Sequence, residues 1–105
     1  MTLMQKFTGV TNITEEKLLN LIQFPQQEVL KDPEHIKHRK SEAQRAKKIG
    51  NSFNDKVYII FEDTEGKKMV ESIVWGVTDR YLMLKRGMSL PIHRVHEIII
   101  NKVKK

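Results

Sequence analysis

The chain is 105 residues long, carries a formal net charge of +6 and has no cysteine. That length makes one small domain, and the absence of cysteine excludes disulfides and thiolate metal sites and fits a reducing cytoplasm. The longest apolar run, Val57 to Phe61, is too short for a bilayer, and the first ten residues have no signal-peptide core, so a soluble, cytoplasmic protein without membrane contact is expected.

The N-terminal part reads as helical. Asn12 and Thr14 are N-cap residue types, Glu15 and Glu16 suit the positive end of a helix, and Leu18, Leu21 and Ile22 form one stripe. This predicts a short helix from about Glu15 to Gln23, ended by Phe24-Pro25. Gln26 to Lys31 fits one more turn or none.

Asp32-Pro33-Glu34 is a helix start: Asp caps, Pro takes the first helical position and Glu meets the dipole. The predicted helix runs to Ile49, with Gly50 as its stop and Lys47 and Lys48 in its last turn. Ile36, Ala43, Ala46 and Ile49 share one thin apolar side. Lys37, Lys40, Arg45, Lys47 and Lys48 take the other, and Arg39 falls among the apolar residues. Six bases and one acid, Glu42, stand in the twelve residues Lys37 to Lys48.

Beyond Gly50 the period changes to two. Val57 to Phe61 is strand one, and Asp63 to Gly66 a turn, with Gly66 suited to positive φ. Met69 to Thr78 is a long second strand. Val70 and Val74 lie on one face, Met69, Ile73, Trp75 and Val77 on the other, and a bend is expected at Gly76. Asp79-Arg80 turns into strand three, Tyr81 to Lys85. Arg86-Gly87 turns into a short strand four, Met88 to Leu90. Ile92 to Val95 fits a 3₁₀ turn, and His96 to Lys102 is strand five. Five short strands with a long kinked second one predict a mainly β fold. It is a small SH3-like barrel over residues 51–105, preceded by a helical extension over residues 1–50. An open antiparallel sheet with helices on one face is the rival arrangement.

Three pieces of text, Phe61-Glu62-Asp63, Trp75 in the long strand and Pro91-Ile92-His93-Arg94, resemble a family of small uncharacterised bacterial proteins. The resemblance covers about half of the chain and implies the barrel but no function. The strand order is also similar to the Sm-like RNA-binding barrels. Asp79 stands in the turn where those carry an Asp, but Arg80-Tyr81-Leu82 lacks the Asn that follows. Arg86-Gly87 comes one strand earlier than their Arg-Gly pair.

Lys37, Lys40, Arg45, Lys47 and Lys48 form either a phosphate-contacting face or a solvated one. Arg80, Lys85, Arg86 and Arg94, with Tyr81 nearby, form a basic rim for stacked bases or scattered turn charges. His35-x-x-His38 and His93-x-x-His96 have metal-compatible spacing, but no thiolate or compelling carboxylate completes a set. Glu62 and Asp63 are expected to face solvent, and Trp75 to join the core. No phosphate loop, nucleophile elbow or paired-carboxylate motif appears, so neither catalysis nor a cofactor is expected. The expectation is a binding module for nucleic acid, RNA first. A protein-interaction or self-association module is the alternative, using Leu18, Leu21, Ile22 and a free sheet edge.

Overall fold

The structure, a computed structural model, describes residues 24–100. The helix expected over 15–23, with Leu18, Leu21 and Ile22, lies outside the described residues. The described chain runs as an irregular strap (24–32), helix α1 (Pro33–Phe53) and strands β1 (Val57–Asp63), β2 (Gly66–Ser72), β3 (Val74–Val77), β4 (Tyr81–Leu84), β5 (Ser89–Pro91) and β6 (Val95–Ile99). One 3₁₀ turn, Lys85–Gly87, precedes β5 and another, Ile92–Arg94, precedes β6. Among the described residues no helix is long and apolar enough to cross a membrane.

Helix α1 starts where capping chemistry places it. Asp32 Oδ1 accepts from the Glu34 amide at 2.9 Å, and Pro33 takes the first turn. Its end differs from expectation. Gly50 does not stop the helix, which continues to Phe53 and closes on Asn54 in the left-handed region (φ 57°), whose N–H reaches Gly50 O. Lys47 and Lys48 are therefore not in the last turn. Gly50 is small for another reason: a Cβ there would lie 2.4 Å from the Val74 carbonyl oxygen, where the helix crosses β3. Gln26 to Lys31 forms no helical turn.

The strands make two three-stranded antiparallel sheets, β2-β1-β6 and β3-β4-β5, and not a closed barrel. The expected long strand breaks at Ile73, three residues before Gly76. The Ile73 carbonyl leaves the β1 ladder and accepts from Lys85 N at 3.1 Å, which passes the chain from one sheet to the other. Trp75 is an extra residue in β3, because Val74 opposes Leu84 while Gly76 opposes Met83. That insertion resets the alternation, so Val77 joins Val74 on the core side.

The main core lies between the sheets. Val57, Ile59, Phe61, Val70, Val74, Leu82, Leu84, Leu90, Val95 and Ile98 fill it, and Ala43 and Ala46 bring α1 onto it. Alanines at the contact let the helix backbone approach closely. A second apolar pair, Ile60 and Met69, sits on the opposite face of β2-β1-β6, with Tyr58 and Ile99 against it.

Candidate functional site

Polar side chains tie the strap to the sheets. Arg39, 5% exposed, donates from Nη1 and Nη2 to the two Glu28 carboxylate oxygens, each at 2.7 Å, and from Nη1 to Val95 O at 2.9 Å. Among the described residues its Nε has no partner in that buried place. Burial raises the Glu28 carboxyl, but the Arg39 hydrogen bonds and the Leu30 and Val29 amides outweigh it and hold the group below its ordinary value. An arginine between Ile36 and Ala43 on the apolar side of a helix thus marks a buried ion pair, not a break in the pattern.

Arg94 sits apart from the other candidate cations. It is 5% exposed, and its Nε and Nη1 donate to Glu62 O at 3.0 Å and Gln27 O at 2.6 Å. The His93 ring reaches Pro25 O at 2.9 Å, and His93 O accepts from Val29 N. His96 is the extra residue where β6 bulges against β1, and its Nε2 lies 2.7 Å from Glu62 Oε1. The Phe61-Glu62-Asp63 and Pro91-Ile92-His93-Arg94 texts therefore meet in space as a structural latch. Asp63 corrects the expectation of a solvent-facing acid. It is buried, accepts from Glu65 N at 2.8 Å and pairs with Lys68 at 2.7 Å. Burial raises its carboxyl, but Lys68 and the Glu65 and Gly66 amides hold it below the ordinary range.

The remaining cations are differently placed. Lys37, Lys40 and Lys48 are exposed on α1 and Lys47 is half-buried; among the described residues none of the four has an acidic partner. Arg45 is exposed but pairs with Glu42 at 3.0 Å. Of the four lysines, Lys40 borders the end of β3. Asn51, one turn beyond Lys47, donates from Nδ2 to Trp75 O at 3.3 Å, and Lys40 and Gln44 line a groove of about 240 Å³ with Val77, Thr78 and Asp79. Arg80 is exposed in a turn held by Thr78 Oγ1, which accepts from the Arg80 and Tyr81 amides at 3.2 and 2.9 Å. Lys85 is half-buried, and Arg86 follows it in the 3₁₀ turn.

Trp75 is not in the core. It is 40% exposed, and Tyr81 (43%) and Met83 (38%) join it on the outer face of β3-β4-β5. The period-two reading of the long strand missed this, because the bulge carries no residue signature except Gly76 beside it. A cavity of about 760 Å³ is lined by Tyr81 and Arg80 together with Asp79, Glu28, Arg39 and His93. Among the described residues no three of His, Cys, Asp and Glu lie close enough together to hold a metal ion. Searches of family models, of curated proteins and of solved structures find no match to the chain.

Proposed function

We propose that this protein is a small non-catalytic binding module for nucleic acid, RNA first, on an SH3-like (Sm-like) scaffold. The scaffold reading takes β2 and β3 as the two halves of one long strand broken at Ile73. The sheets β2-β1-β6 and β3-β4-β5 are then the two halves of a barrel whose open side is covered by α1.

The observation that carries the functional reading is the lysine flank of α1. Lys37, Lys40, Lys47 and Lys48 stand at spacings of three, seven and one, so they share a side of the helix, and among the described residues none of them is within ion-pair distance of an acid, although Glu34 precedes Lys37 by three residues and Asp79 shares a groove with Lys40. Such a row attracts a polyanion and releases its counterions. Arg80, exposed in the turn after β3 beside Asp79, is a further cation within reach of the same ligand. Arg94, Arg39 and Arg45 play no part, since each already serves a neighbour. Fluorescence anisotropy with labelled single-stranded RNA, begun at low salt and repeated as salt rises, tests the reading. Saturable binding that weakens steeply is expected, and no binding at low salt overturns it. The alternative, a protein partner or a second copy of this chain, would instead give complexes that survive salt.

A further inference from the structure

We infer that the outer face of β3-β4-β5 is a base-stacking trough, so that the polyanion this module takes is single-stranded. This rests on the nucleic-acid reading above and names the form of the ligand. The register places Gly76, Met83 and Ser89 side by side across the three strands, with Met83 in the middle. Glycine and serine leave the strip on either side of Met83 low. Trp75, thrown outward by the bulge, stands at one side, and Tyr81, two residues before Met83 on β4, stands at the other. The result is a floor of one flexible apolar side chain between two exposed aromatic rings.

Gly76 is what keeps the trough open. Its φ is not in the left-handed region, so the backbone does not require glycine there. A Cβ would lie 3.6 Å from Met83 Cβ and Cγ, an ordinary contact, so packing does not require it either. Gly50, where a Cβ collides with backbone, is the contrast within the same chain. Glycine is common beside a bulge, but here neither a left-handed φ nor close packing requires it, and its missing side chain leaves space for an occupant between two exposed aromatics.

The chemistry of the surroundings selects that occupant. No residue of β3, β4 or β5 is acidic, and β4 is bracketed by Arg80 and Lys85. Aromatic faces with flanking cations suit bases on a phosphate chain, and the lysine flank of α1 adjoins the Trp75 side through Asn51. In a duplex the base faces are already stacked on one another, so only unpaired bases can use the rings.

Trp75 is the only tryptophan in the chain, which makes its emission a direct reporter. The experiment titrates the full chain with an oligouridylate of eight nucleotides and with an RNA duplex of similar charge. It follows Trp75 fluorescence alongside anisotropy and compares Gly76→Val and Tyr81→Leu, with circular dichroism confirming the fold of each variant. The single strand should quench Trp75 saturably and the duplex should not. Gly76→Val should bind about tenfold more weakly with its fold unchanged, and Tyr81→Leu should lose a similar factor if Gly76→Val does not fold. Binding seen by anisotropy with unchanged Trp75 emission and with both variants like the parent overturns the trough while the phosphate reading stands. A Trp75 shift that depends on protein concentration alone assigns the face to a second copy and overturns the trough. No anisotropy change at low salt removes the nucleic-acid reading itself.

Discussion

The guanidinium of Arg39 and the carboxylate of Glu28 meet through two hydrogen bonds of 2.7 Å, joining the second turn of α1 to the strap across eleven residues of sequence. Arg39 also holds Val95 O, the first carbonyl of β6, so one side chain fastens three pieces of chain. Replacing it with alanine leaves Glu28 without its counterion and a buried carbonyl without its donor. A loss of about 3 kcal/mol in denaturant unfolding is expected. A methionine, which restores the bulk, should recover part of that loss. An alanine variant as stable as the parent would show that the strap is not held from this side.

Gly50→Ala gives a prediction whose sign is informative. In an ordinary helix interior the change stabilises by about 1 kcal/mol. Here the new Cβ would lie 2.4 Å from Val74 O and 3.0 Å from the Ile73 side chain. The helix must move off β3, so the change should destabilise, by about 1–3 kcal/mol in chemical denaturation. Stabilisation would mean that α1 does not press on β3 at this residue.

Among the described residues two carboxyls are held low in the folded chain and contribute to its response to acid. Glu28 and Asp63 both sit below their ordinary values of 4.5 and 3.8 in the folded chain, so the unfolded chain binds protons first as pH falls. Their stabilisation is complete above those ordinary values and is lost as pH descends through the lower folded ones. Thermal melts from neutral pH down to about pH 3 should therefore show stability falling across the acid limb. Asp63→Asn should be less stable at neutral pH and show a flatter limb. An unchanged slope would place the acid sensitivity elsewhere. Lys68 moves the other way: hydrogen bonds to Asp63 and Glu65 raise it, so its contribution persists until strongly alkaline pH.

How much of this was legible in the residues depends on the range of the interaction. Asp32-Pro33-Glu34 announced the start of α1 because capping is local. Gly66 marked the β1-β2 turn because positive φ is a property of one residue, and it is found there at φ 132°. Gly50 misled because close approach to Val74 is a long-range demand that looks the same as a helix stop. Ile73, where the second strand breaks, has no breaker chemistry of its own, and the interruption comes from its carbonyl pairing with Lys85 N. The exposure of Trp75 depends on a one-residue bulge that alternation cannot reveal. In the candidate site the lysine flank was legible as helical spacing. The removal of Arg94 from the exposed cations was not, because Gln27 lies sixty-seven residues away.

The central claim is that the lysine flank of α1 touches phosphates. The direct measurement is the slope of log affinity for single-stranded RNA against log salt, for the parent and for the Lys37→Gln, Lys40→Gln, Lys48→Gln triple variant. The account predicts weaker binding with a slope shallower by about 0.7 for each phosphate that the variant no longer neutralises. Identical slopes for the two proteins would contradict it.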